Sequence, residues 1–249
     1  MKDKMEKKII IVPDVHGRDF WKEAVKDREN AKVVFLGDYL DPYEKRTDED
    51  LLENLKEIIA LKESDPENIT LLIGNHDRHY MKGSHGKFSR YSPSMQSKLN
   101  DRAEEFFKKN IFEIIHEEEV FGTKFVFTHA GVKKDWYYNF IEEENGEGID
   151  AEKIREAYEK NPYYFDSLIS FYRGGTCYFG SPVWADIREY GKEDEWSGKV
   201  QIFGHTQLAE KAVDLDDKIY CLDVRRCFFI DENGVVREMN GNKVEIAVK

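Results

Sequence analysis

Long apolar runs are missing from this chain of 249 residues. A membrane-crossing helix needs about 20 consecutive apolar residues, and no stretch comes near that, so no span is expected. The run Ile9 to Val12, closed by Pro13, is too short for the apolar part of a signal peptide. Cysteine is scarce. Cys177, Cys221 and Cys227 are an odd number with no pair at metal-ligand spacing, which argues against a disulfide framework and a thiolate metal site. A reducing cytoplasm is the expected location. Positive charge is in deficit: 38 Lys and Arg stand against 50 Asp and Glu, a net charge of -12. A protein that grips nucleic acid usually carries a basic face, so that partner is disfavoured. Nucleotides stay open as substrates, because bound metal brings its own positive charge. Repeats, low-complexity tracts and Pro/Ser-rich linkers are also lacking. One continuous domain over residues 1–249 is therefore expected, long enough to bury a sizeable core.

What is present has a clear order. Ile9 to Val12, Val33 to Leu36 and Thr70 to Ile73 are short aliphatic runs that read as buried strands. Between them, Asp19 to Glu29 and Asp48 to Ser64 read as helices. The second has apolar residues at Leu51, Leu52, Leu55, Ile58, Ile59 and Leu61, which is helical spacing. Strand, helix, strand, helix, strand implies a parallel sheet with crossover helices. Met95 to Asn110 reads as a helix, and Ile111 to His116 and Lys124 to Thr128 as paired strands turning at Phe121-Gly122-Thr123. Residues 133–190 are aromatic-rich and irregular, with helices near 133–140 and 151–160. They are expected to cover the site as a cap. Short strands return at Val200–Phe203, Lys211–Val213, Ile219–Asp223, Cys227–Ile230, Val235–Met239 and Lys243–Val248, separated by turn signals such as Glu232-Asn233-Gly234. The expected fold is α/β, with two face-to-face sheets and helices outside.

Each of the first three runs is followed at once by a polar cluster: Asp14-Val15-His16-Gly17, then Gly37-Asp38-Tyr39-Leu40-Asp41, then Gly74-Asn75-His76-Asp77. Ligand sites of parallel sheets lie beyond the carboxyl ends of the strands, so Asp14, His16, Asp38, Asn75 and His76 would meet at one edge. Two later strands end the same way, in Thr128-His129-Ala130-Gly131 and Gly204-His205-Thr206. Carboxylate, imidazole and amide oxygen suit divalent ions such as Mn, Fe, Zn or Ni. Taken alone, Asp14 reads as a turn cap, Asn75 as a turn residue, and His129 or His205 as a core histidine with one hydrogen bond. Their repetition at strand ends favours ligands. Asp41 is read as a supporting or capping acid outside the ligand set, His79 and His85 as surface residues, His116 as structural, and Glu142 to Glu144 as a solvated face. The aromatics of 133–190 are read as core or lid packing ahead of a base-stacking surface.

The ordered set Asp-x-His-Gly, Gly-Asp-x-x-Asp, Gly-Asn-His-Asp, strand-end His and Gly-His-Thr resembles that of the calcineurin-like metallophosphoesterases. It is most similar to the branch of protein Ser/Thr phosphatases, bacterial and phage phosphatases and diadenosine-tetraphosphate hydrolases. The resemblance implies a four-layer α/β/β/α sandwich. It implies two divalent ions, with Mn the first choice. One would be bound by Asp14, His16 and Asp38, the other by Asp38, Asn75, His129 and His205. It further implies attack by a metal-bridging hydroxide on a phosphomonoester, as in a phosphoprotein, or on a nucleoside polyphosphate. His76 would act as general acid, oriented by Asp77.

One departure stands out. The protein phosphatases follow the second motif with an arginine that binds phosphate, whereas Asp41 precedes Pro42 and Tyr43. Arg78, Arg173 and Arg188 are the candidate replacements. Arg188 is favoured, because Ser181 to Arg188, with its Trp184, resembles an arginine-bearing segment of bacterial members. Nuclease-type members carry a second His at the last motif, where this chain has Gln207. A phosphodiesterase or nuclease is the alternative, with Gln207 and the acidic charge counting against it, and a non-catalytic metal-binding scaffold the third reading.

Overall fold

The computed structural model describes residues 7–26, 28–108, 110–142, 148–242 and 244. The strand expected at 243–248 and the acidic residues Glu143 and Glu144 fall mainly or wholly outside these. In chain order the first half comprises β1 (Lys8–Val12), α1 (Phe20–Ala24), β2 (Ala31–Phe35), α2 (Asp48–Ser64), β3 (Ile69–Leu71), α3 (Asn75–Arg78), α4 (Pro93–Asp101) and α5 (Ala103–Phe106). There follow β4 (His116–Val120), β5 (Thr123–Phe127), α6 (Lys134–Phe140), α7 (Ala151–Lys160), α8 (Tyr163–Asp166), β6 (Lys199–Phe203), β7 (Val213–Leu215), β8 (Ile219–Cys221), β9 (Phe228–Ile230) and β10 (Val236–Glu238). No helix among the described residues is long and apolar enough to cross a membrane.

The strands form two five-stranded mixed sheets, ordered β10-β9-β1-β2-β3 and β4-β5-β6-β8-β7. β1, β2 and β3 run parallel, as do β5, β6 and β8. Burial on both faces explains why the central strands read as unbroken aliphatic runs. Alternate residues of β1 serve different layers. Ile9 and Ile11 join Val34, Phe125, Phe127, Ile202 and Tyr220 in the core between the sheets. Ile10 and Val12 face the other way and pack with Leu51, Leu55 and Ile58 of α2. α2 starts at Thr47, whose side chain accepts from the Asp50 N–H while Asp50 accepts from the Thr47 N–H. Such a reciprocal cap contributes roughly 1 kcal/mol.

The outer face of the second sheet carries the fourth layer, completing an α/β/β/α sandwich. Here the segment expected as a cap divides. Trp136 and Tyr137 of α6, Ile154 of α7 and Phe165 of α8 are fully buried in one cluster with Val126 of β5. These helices are a structural layer, and their aromatics fill its core. Tyr163, Phe171, Tyr172 and Tyr178 are exposed.

Two local expectations are corrected. The strand placed at 111–116 lies at 116–120, paired with β5 in antiparallel register. The tight turn at Phe121 and Gly122, both with positive φ, sets that register. Ile114 and Ile115 are drawn instead into the core beneath α6. The helix expected over 95–110 breaks at Arg102, where the backbone leaves helical geometry.

Candidate active site

The carboxyl ends of both sheets meet along one edge. β1 leads into Asp14 and His16, β2 into Asp38, β3 into Asn75, β5 into His129 and β6 into His205. All six side chains lie in residues at most 3% exposed. Their donor atoms form two groups, each within 4.8 Å: Asp14, His16 and Asp38, and Asp38, His129 and His205. Asp38 belongs to both. Asn75 joins the second through Oδ1, 3.0 Å from Nε2 of His129.

The backbone is bent to achieve this. His16, Asp38 and His205 have φ of 47°, 53° and 62°. Left-handed backbone is uncommon outside glycine and costs on the order of 1–3 kcal/mol per residue. Close approach is bought by two glycines: a Cβ on Gly74 would meet Oδ1 of Asp38 at 2.1 Å, and one on Gly204 would meet Oδ1 of Asp14 at 2.1 Å.

Hydrogen bonds orient the imidazoles. His16 donates from Nδ1 to the Leu40 carbonyl at 2.7 Å, and His129 from Nδ1 to the Leu36 carbonyl at 2.8 Å. Each therefore presents a lone pair at Nε2, as metal-binding histidines do when the other nitrogen is held by a carbonyl. Nε2 of His129 faces the Asn75 oxygen, two acceptors that repel unless a proton or cation lies between them. Nε2 of His205 is buried with no hydrogen-bond partner. Burial, followed by the charge of a neighbouring aspartate, pushes the Asp14 and Asp38 carboxyls well above their usual range. Burial also holds His16 and His205 well below theirs and brings His129 down to about 3. Unprotonated imidazoles beside buried carboxylates that, among the described residues, form no ion pair with a Lys or Arg are what a divalent cation requires, so the donor set fits such ions.

The sequence of calcineurin-like phosphoesterases, taken as a family profile, matches residues 7–208. The chain belongs to this family. A phosphoester-hydrolysing enzyme with His/Asp clusters suited to divalent metal is thereby established. Similar solved structures include a cold-active protein-tyrosine phosphatase of a psychrophile, Shewanella sp., at 13% identity and TM-score 0.59, covering 94% of this chain and 80% of that one. Another is a protein serine/threonine phosphatase from Saccharomyces cerevisiae with similarity to human phosphatase PP5, at 13% identity and TM-score 0.54, covering 100% and 82%. At such identities the likeness speaks for the fold. No curated protein matches the sequence.

In this calcineurin-like phosphoesterase the general-acid candidate has a different partner from the expected one. His76 follows Asn75 in α3, its N–H on Oδ1 of Asp38 at 2.9 Å. Its Nδ1 donates to Asp41, 2.9 Å away, and not to Asp77. Asp77 instead accepts from the N–H groups of Asp38, Tyr39 and Gly74 at 2.7, 2.8 and 3.0 Å, clamping the two loops together. Its side chain points into backbone because it caps its own short helix. Burial raises its carboxyl to about 7. Asp41 also accepts from the Tyr80 hydroxyl at 2.6 Å and lies 2.7 Å from Nε2 of His79. His79 is buried, not at the surface.

Of the three arginines singled out from the sequence, two are engaged by acids away from the ligands. Arg78 is buried and forms an ion pair with Asp166 at 3.0 Å. Arg188 is more than half exposed and paired with Asp186 at 2.7 Å. Arg173 alone approaches the ligands, donating to the His205 carbonyl at 3.3 Å. Three residues near the site went unrecognised: Arg90, Tyr43 and Asp223. Asp223 follows β8 as the ligands follow their strands, a signal present in Tyr220-Cys221-Leu222-Asp223. Burial raises its carboxyl to about 6. Arg90 and Tyr43 stand in loops with no local pattern.

Proposed function

We propose that the chain is a two-metal phosphohydrolase acting on phosphate monoesters, of a phosphoprotein, or on nucleoside polyphosphates. The carrying observation is a buried histidine, His76, held by Asp41 next to two ligand groups that share Asp38. Asp14, His16 and Asp38 would hold one ion, and Asp38, Asn75, His129 and His205 the other. Bound divalent ions, with Mn the first choice, acidify a water and neutralise charge on a transferring phosphoryl group.

The chain's own residues supply the rest. Asp41 accepts from Nδ1 of His76, which fixes the ring and leaves Nε2 as the atom that hands a proton to the departing oxygen. Asp77 keeps the loops bearing Asp38 and Asn75 in register. The bent backbone at His16, Asp38 and His205 aims the ligands inward before any substrate arrives. The net charge of -12 favours a phosphorylated small group over a nucleic acid strand. We take the chain as one domain, since the core between the sheets draws on strands from β1 to β10. The free thiols of Cys177, Cys221 and Cys227 suit a cytoplasmic location.

Hydrolysis of an aryl phosphate monoester and the matching diester, with added Mn, tests this reading beside His76→Ala and Asp38→Ala. Monoester cleavage is expected to be lost in Asp38→Ala, and to be lost in His76→Ala where the leaving group is a poor one such as phenol. Cleavage of the diester alone would move the reading to a phosphodiesterase. Metal binding without turnover of either would move it to a scaffold.

A further inference from the structure

Between α3 and α4 the chain loops back over the site, and Arg90 stands in that loop with φ of 65°. Its guanidinium stacks on the Tyr43 ring, 3.7 Å from the centroid. The same ring meets His16 edge-on at 5.0 Å. Nη2 donates to Nε2 of His76 at 2.7 Å, and Nη1 is buried without any partner.

Two features of this arrangement call for a ligand. An unpartnered buried N–H of a charged group is costly, and an anionic acceptor would relieve it. The occupied nitrogen is also the one His76 needs for proton delivery. While Arg90 donates to Nε2, that atom presents a lone pair and cannot carry the transferable proton. Arg90 must release His76 when the reaction proceeds.

We propose that Arg90 is a catalytic residue that exchanges partners: it leaves Nε2 of His76 and takes the phosphoryl oxygens of the substrate, with Tyr43 as the platform on which the guanidinium pivots. The planar fork of arginine suits two phosphoryl oxygens at once, and stacking on a ring restricts it to one plane of motion. The transfer bares Nε2 only when a phosphoryl group is present; that nitrogen then takes up a proton from water and passes it to the departing oxygen, so substrate binding and readiness of the acid are coupled through one side chain. This inference rests on the phosphohydrolase reading above.

The test uses the Mn-loaded full chain and its Arg90→Ala and Arg90→Lys variants, with inorganic phosphate as the probe in calorimetry. Removing charge-assisted hydrogen bonds should weaken phosphate binding about ten- to hundredfold in Arg90→Ala, at unchanged Mn content. Arg90→Lys should fall between, since one ammonium cannot reproduce the fork. His76→Ala, which removes the acceptor that competes for Arg90, should bind phosphate at least as tightly as wild type. Turnover is then compared on 4-nitrophenyl phosphate and on phenyl phosphate, whose leaving group is poorer. Arg90→Ala should lower kcat/KM by a similar factor on both, whereas His76→Ala should spare the better leaving group. Phosphate binding unchanged in Arg90→Ala overturns the proposal, as does a loss confined to phenyl phosphate, which would make Arg90 only a support for His76. If wild type turns over neither substrate, the phosphohydrolase reading fails. The calorimetry then still decides whether Arg90 binds the anion.

Discussion

Nδ1 of His76 and Oδ2 of Asp41 lie 2.9 Å apart, and the same carboxylate oxygen is 2.7 Å from Nε2 of His79. One acid thus holds two buried imidazoles, with the Tyr80 hydroxyl on its other oxygen. Those contacts, led by the one to His76, outweigh burial and keep the Asp41 carboxyl below its usual range. It is charged where a forming imidazolium needs it.

Asp41→Asn should therefore lower kcat on a poor leaving group by roughly a hundredfold, the scale of general acid catalysis, while metal content stays at the wild-type level. Asp77→Asn should do the reverse. An amide cannot accept three backbone N–H groups without turning its NH2 toward one of them, so the Asp38 loop loosens and metal affinity falls. Metal analysis of both purified variants, next to kcat, separates the two acids. Equal metal loss in both would sink the division of roles.

Gly74→Ala and Gly204→Ala should each cost metal binding. The added Cβ would fall 2.1 Å from a carboxylate oxygen of Asp38 or Asp14, so the ligand must move. Overpacking of this kind costs about 1–3 kcal/mol. Thermal melting and calorimetric Mn titration check both effects. Wild-type Mn affinity in either variant would contradict the geometry.

Chelation should lower the melting temperature. A ligand held by the folded state alone stabilises by about 2.7 kcal/mol at a hundredfold excess over Kd. For a chain of this size that is roughly 5–10 °C. Melting curves with EDTA and with added Mn read it directly. Identical curves would mean that the buried carboxylates need no cation.

His116 offers a pH test away from the site. Burial disfavours its charged form, but Glu113 and Glu118, 3.5 and 3.6 Å from its two ring nitrogens, prevail and raise its pKa above 6.5. A raised folded-state pKa means the stabilisation is complete below about 6.5, the unfolded value, and fades as pH rises through the folded one. His116→Gln should be destabilising at pH 6 and less so at pH 9. Denaturant unfolding at the two pH values measures this. A penalty that grows with pH would refute the ion-pair account.

Much of the candidate ligand set was legible because hydrophobic strands in a parallel sheet all end on one side. Asp14, His16, Asp38, Asn75, His129 and His205 each follow an aliphatic run within a few residues, and the order of their motifs, through the family resemblance, joined them in one ligand set. Asp223 obeys the same rule and was passed over, because its strand β8 is short and follows a run of turns. α2 was legible to the residue because its apolar residues recur at helical spacing from Leu51 to Leu61.

The partners of those residues were not legible. Asp77 stands next to His76 in the chain, yet helical geometry turns it to the backbone of the Asp38 loop. Asp41, 35 positions away, reaches the ring instead. Arg78, Arg173 and Arg188 stand beside recognisable motifs, but local acids or carbonyls occupy their guanidinium groups. Arg90 is delivered by a loop whose course depends on how α3 and α4 pack. The succession of strands and helices along the chain and the residue types at strand ends are properties of consecutive residues, so the sequence by itself determined the α/β class and the chemistry of its candidate ligands. Which acid meets which imidazole, and which arginine reaches His76, depends on side chains many residues apart converging within about 3 Å, and only tertiary packing decides that.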